Sequence, residues 1–195
     1  MTKLEMTIGR GACDLSFADD AFLSPIHAQV VWRDGGMFVR DLGSCNRTWV
    51  YLDGPAPLVD DDCLLLGSQI LQFRRIGSPA PLGQEADGTR RIGSVTPAPD
   101  LAVLVQLRAD GSVRDTVHLG PGRPLVIGRD TGDWTFPYDH TMSGTHAEIR
   151  YEDGRFVIRD LGSRNGVAVA VRGDRPLAVG QRLLVGDHIL RVESV

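Results

Sequence analysis

Lysine is nearly absent from this 195-residue chain: Lys3 stands alone, and every other one of the 21 basic residues is arginine. A phosphate-binding loop of the Gly-Lys-Thr kind therefore has no lysine to build on. Cysteine is also scarce. Cys13, Cys45 and Cys63 are odd in number and lack Cys-x-x-Cys spacing, which fits neither a disulfide framework nor a zinc site and points to a reducing, cytoplasmic setting. Long apolar runs are missing too. Apolar runs such as Leu64-Leu65-Leu66 fall far short of the roughly 20 residues that span a bilayer. No basic-then-apolar segment follows Met1, so neither membrane insertion nor secretion is expected. Finally, there is no basic excess: 21 basic against 25 acidic residues give a net charge of −4, the wrong sign for a nucleic-acid binder. What remains is an ordinary globular balance, 42% hydrophobic and 24% charged.

The chain repeats itself. Shifted by 119 positions, Ile8-Gly9-Arg10 falls on Ile127-Gly128-Arg129, Ser24 on Ser143, and His27-Ala28 on His146-Ala147. Arg40-Asp41-Leu42-Gly43-Ser44 then falls on Arg159-Asp160-Leu161-Gly162-Ser163, and Asn46 on Asn165. From Ile8 to Phe73 no gap is needed and 26 of the 66 positions are identical, which identifies a tandem duplication. Between the copies, residues 77–99 carry four prolines and four glycines without apolar periodicity and read as a linker. The copies are accordingly 1–76 and 100–195.

Short strands and tight turns fill each copy. Residues 146–151 and 156–160 flank a turn at Asp153-Gly154, and residues 27–32 and 37–41 repeat that hairpin around Asp34-Gly35. Leu183 to Val185 and Ile189 to Val192 form another pair around Gly186-Asp187. No ten-residue stretch has helical periodicity with good caps, so the fold class is all-β, two antiparallel β-sandwiches in tandem. The second copy opens with Leu101–Leu107 and Val113–Leu119 around a turn at Asp110-Gly111. The first has only seven residues before Ile8, so it is expected to lack N-terminal strands and to leave a sheet edge for the linker, another chain or further sequence to cover.

Three elements recur at fixed spacing: Gly-Arg, Ser-x-x-His beginning 14 residues after the Arg, and Asn 22 residues after that Ser. They fall at strand ends and turns, where a sandwich gathers its loops. Arginine, a hydroxyl and a side-chain amide are donors without a general base, and suit a bound anion better than a reaction. Arginine offers a planar fork to phosphate oxygens, and asparagine can pair with both groups of a peptide backbone.

In these motifs, and in Asp-Leu-Gly-Ser-x-Asn-Gly, the chain resembles the forkhead-associated (FHA) domain over residues 8–73 and, more fully, 101–192. The resemblance implies an eleven-strand β-sandwich that reads phosphothreonine peptides with the loops at one end. It implies that Arg129 and Ser143 contact the phosphate, that Asn165 holds the peptide main chain, and that Arg164 and Thr145 lie beside them. Arg10, Ser24 and Asn46 are the first copy's equivalents. Gly128, His146 and Gly166, with Gly9 and His27, are expected to shape the loops. The implied function is a bacterial signalling adaptor for a Ser/Thr kinase or its substrates, without metal or other cofactor.

Both copies depart from the motif. In the first, Arg47 replaces the glycine after Asn46, Pro25 removes a backbone donor beside Ser24, and Cys45 stands where the second copy has Arg164. In the second, Val167 replaces a threonine that the first copy keeps as Thr48, and Gly144-Thr145 lacks a basic residue. The second copy is thus expected to be the main reader. The alternative is a phosphate-independent scaffold whose first copy self-associates or accepts a partner's strands. Catalysis is not expected: Ser24, His27 and Asp41 lack a nucleophile elbow, and Asp139, His140 and His146 lack zinc-ligand spacing.

Overall fold

The computed structural model describes residues 4–76, 86–89 and 101–194. Only 86–89 of the expected linker fall within this range, and they are exposed. The first copy contributes β1 (Leu4–Gly9), β2 (Leu15–Ser16), β3 (Ala28–Arg33), β4 (Gly36–Asp41), β5 (Thr48–Tyr51), β6 (Ala56–Pro57), β7 (Cys63–Leu66) and β8 (Gln69–Arg75). The second contributes β9 (Ala102–Leu107), β10 (Val113–Leu119), β11 (Leu125–Gly128), β12 (Trp134–Thr135), β13 (Ala147–Glu152), β14 (Arg155–Asp160), β15 (Val167–Ala170), β16 (Asp174–Leu177), β17 (Arg182–Val185) and β18 (His188–Arg191). The described residues contain no helix. The hairpin turns form where the sequence places them: Asp34-Gly35 and Asp153-Gly154 all have positive φ, the geometry a two-residue turn needs to follow strand twist. Pairing is antiparallel apart from two short parallel bridges, β1 to β2 and β11 to β12.

Three sheets result. Two have five strands, in the orders β16-β4-β3-β1-β2 and β12-β11-β13-β14-β6. The third has eight, β10-β9-β8-β7-β15-β5-β17-β18, and serves as a common floor. Strand alternation sorts its residues. Val50 and Val169 are cross-strand partners and so project to one face, each into a different core. Trp49, Tyr51, Ala168 and Ala170 form a smaller buried cluster on the other face.

Each of the two main cores draws on both sequence copies. The first core joins Ile8, Leu23, Ala28, Val39 and Val50 to Val171, Leu183, Val185 and Val192. The second joins Leu58, Leu64, Leu66, Leu71 and Phe73 to Leu104, Ile127, Ile149, Phe156 and Val167. The repeat in sequence is therefore not the unit of packing. One sandwich is built from the chain's two ends, β1–β5 with β16–β18, and the other from the continuous stretch β6–β15. The crossing points are fixed symmetrically. Leu52 N–H donates to Val167 O at 2.9 Å and Val171 N–H to Thr48 O at 2.8 Å, so β5 and β15 run side by side while each continues into the other's sandwich.

Candidate functional site

In the second copy, the three sequence elements are brought together by hydrogen bonds between loops. Gly128 closes β11 against the loop opposite, where a Cβ would overlap Gly144 O and Thr131 O, so no larger residue fits. Arg129 N–H donates to Ser143 O at 2.8 Å, fixing the first loop to the second. Arg164 N–H donates to Ser143 Oγ at 3.0 Å and Asn165 Nδ2 to Thr141 O at 2.7 Å, fixing the third loop to the second. Ser143 Oγ accepts from Arg164, and its own hydroxyl proton has no acceptor among the side chains and backbone groups of the described residues around it. Asn165 spends one amide hydrogen on Thr141 and keeps its other hydrogen and its carbonyl. Arg164, Asn165 and Thr145 are exposed, and Arg129 and Ser143 are half-buried.

His146 is fully buried beneath this arrangement. It accepts from Ser143 N–H at Nδ1 (3.1 Å), and its Nε2 lies 3.1 Å from Gly166 O, which assigns the ring proton to Nε2. Gly166 turns the third loop with φ +82°. Asp160 accepts from Ser163 N–H and Oγ–H, holding the preceding turn. The first copy repeats the scheme. Arg10 N–H donates to Ser24 O, Cys45 N–H to Ser24 Oγ, and Asn46 Nδ2 to Phe22 O. His27 accepts from Ser24 N–H and faces Arg47 O at 2.9 Å, while Gly9 is pressed against Pro25 O. Arg47 holds φ +64°, so the turn persists at the cost of a left-handed non-glycine residue, of order 1 kcal/mol. Both His27 ring nitrogens face backbone groups, and Asp41 is taken by Gly43, Ser44 and Thr48. Ser24, His27 and Asp41 are therefore not linked as a proton relay.

Several participants lie outside the motifs. Asp139 accepts at Oδ2 from Ser68 N–H, Ser68 Oγ–H and Gln69 Nε2, and at Oδ1 from Thr141. Burial pushes its pKa up, yet the hydrogen bonds from Thr141, Gln69 and Ser68 outweigh that and hold it well below the usual carboxylate range. It thereby ties the loop that carries Ser143 in one copy to the β7–β8 turn of the other. Asp20 does the same in the first sandwich, accepting from Asp187 N–H at 2.9 Å. That bond lowers its pKa, against burial and with help from Phe22 N–H and His188. The signal for this pair was the identity of Asp20 and Asp139 at the repeat offset. Asp130 was also unanticipated: it accepts from Arg129 Nε at 2.9 Å, leaving the terminal guanidinium nitrogens for a ligand. The first copy has Gly11 at that position, and the exposed Phe22 and Ile26 around its site where the second has Thr141 and Thr145. No group of three or more His, Cys, Asp or Glu side chains among the described residues is arranged to hold a metal ion, and no described helix is long and apolar enough to cross a membrane.

Two comparisons with known proteins give a match. The sequence matches the family model described as FHA domain at residues 6–67 and 125–190. It is also similar to a solved structure, the FHA domain of the CT664 protein from Chlamydia trachomatis, at 30% identity over 42% of this chain and 87% of that one, with a TM-score of 0.27. No curated protein matches it.

Proposed function

Because the chain belongs to the FHA-domain family, whose members are phosphothreonine-binding interaction modules, we propose that it is an adaptor that docks a phosphothreonine-bearing protein, a Ser/Thr kinase or its substrate, mainly through Arg129, Ser143, Arg164 and Asn165. The observation that carries this reading is the convergence of three loops on Ser143. The Arg129 and Arg164 backbones both bond to it, which brings two guanidinium-bearing residues, one hydroxyl and one amide to the same rim. A phosphothreonine carries about −1.5 to −2 charges near neutral pH, and such a donor set distinguishes it from unmodified threonine. The second copy is favoured over the first because Cys45 and Pro25 replace a cation and a backbone donor there.

The test is fluorescence anisotropy with a degenerate phosphothreonine peptide pool and its unphosphorylated twin. Wild-type chain is expected to bind only the phosphorylated pool. A hydrogen bond to a charged group contributes about 1.5–3 kcal/mol, so Arg129→Ala should weaken binding about 10- to 150-fold. Equal binding of both pools, or no effect of Arg129→Ala, would remove this reading and favour the scaffold.

A further inference from the structure

The two sandwiches are not finished alike. In the continuous one, β8 is covered by β9 and β10, with Phe73 opposite Leu104 and Arg75 opposite Ala102. The counterpart of β8 at the repeat offset is β18, which pairs with β17 on one side and with no strand among the described residues on the other. Backbone polarity defines that edge. Val192 N–H donates inward to Gln181 O and Val192 O accepts from Gly180 N–H, as Phe73 does with Asp62 and Asp61. By alternation the amide and carbonyl of Arg191 and of Glu193 point outward, where those of Gln72 and Arg74 meet β9.

The side chains beneath the edge show what is missing. In the finished sandwich Leu58, Leu71, Leu125, Ile149 and Phe156 are all buried. Their counterparts Leu177, Leu190, Met6, Val30 and Met37 are not: Met6 is 37% exposed and the others are half-buried. With Trp32, itself 47% exposed, they line an open apolar groove of about 360 Å³ beside β18. The same positions thus form a closed core where a strand lies over them and a groove where none does.

We propose that this groove is a docking site for a β-strand of a partner protein, added antiparallel to β18. The sister sandwich defines the occupant's chemistry. It is an extended segment with small and large apolar residues alternating toward the groove, as Ala102 and Leu104 do, paired to the outward amides of Arg191 and Glu193. This site is separate from the recognition loops and does not depend on phosphate.

A labelled peptide of residues 101–120, the chain's own covering hairpin, is the probe. Titrated against the full chain, it should bind saturably, and its scrambled version should not. Hydrogen exchange should slow at the Arg191 and Glu193 amides. Arg191→Pro, which removes one outward donor and leaves the β17 pairing intact, should weaken peptide binding about tenfold. Trp32→Ser, on an already exposed position, should weaken it without unfolding the chain. Phosphopeptide binding, measured on the same samples, should be unchanged in both variants, so a failure here is distinguishable from a failure of the phosphothreonine reading. Absence of saturable binding, or exchange unchanged at the two amides, would overturn the proposal. So would a concentration-dependent dimer abolished by Arg191→Pro, which would make the occupant a second copy of this chain.

Discussion

Cutting the chain at its repeat boundaries or at its packing boundaries should give different proteins. A fragment of residues 53–172 contains β6–β15 and with them one complete set of core strands. A fragment of residues 100–195, the second sequence copy, lacks β6–β8 and must fold β16–β18 back in their place. At the repeat offset this substitutes Leu177 for Leu58, Leu183 for Leu64, Val185 for Leu66, Leu190 for Leu71 and Val192 for Phe73. Two of the five exchanges shrink the core: Leu to Val removes one carbon and Phe to Val four. At about 0.8 kcal/mol per buried carbon the deficit is about 4 kcal/mol, before any cavity term. That is a large part of the roughly 5–15 kcal/mol that holds a domain together. Both fragments lose β5, so the comparison is even on that side. Urea unfolding should place the 53–172 midpoint well above that of 100–195 at a similar slope. Equal stability, or greater stability of 100–195, would refute the exchanged topology and make each repeat its own folding unit.

Two further outcomes follow from the site's carboxylates. Asp139→Asn should destabilise the chain by about 3 kcal/mol, because an amide nitrogen would face the donors of Ser68, Gln69 or Thr141; denaturant unfolding measures it. Since the folded-state pKa of Asp139 lies below its ordinary 3.8, its contribution is present above that pH and lost as pH falls further. The variant should therefore show a flatter acid limb below about pH 4 than wild type. Asp130→Ala should tighten phosphopeptide binding about two- to fivefold, because it frees Arg129 from an exposed ion pair and removes a like charge near the phosphate. Anisotropy with the same peptide pool reads this, and weaker binding would show that Asp130 instead orients Arg129.

Much of this was legible in the sequence because it is local. The Asp-Gly hairpin turns and the three-element spacing within each copy are set by residues near one another, and the structure places Arg129, Ser143 and Asn165 on loops that meet. The exchange between copies was not legible, for a physical reason. A repeat carries two nearly interchangeable versions of each strand, and apolar alternation says only that a strand is half-buried, not in which sandwich. What separates the versions is bulk, Phe73 against Val192 and Leu66 against Val185, and bulk acts only once a core exists to be filled.

The clearest record of that coupling lies at the centre of the long sheet. Gly166 turns its loop beneath Arg182, whose guanidinium lies 4.4 Å from the centroid of the Tyr51 ring, and a Cβ at Gly166 would crowd both. At the repeat offset Gly166 becomes Arg47 and Arg182 becomes Cys63. The arginine has changed places: Arg47 extends its guanidinium to Cys63 Sγ at 3.0 Å, occupying space that Arg182 fills in the other half. Burial pushes the Cys63 thiol pKa up, against the opposing pull of Arg47, so the sulfur meets the guanidinium as a neutral acceptor. Read within its own repeat, Arg47 is a glycine lost from a motif. Read across the seam between the two sandwiches, it is half of a pair whose other half, Cys63 of β7, comes from the same sequence copy but belongs to the continuous sandwich.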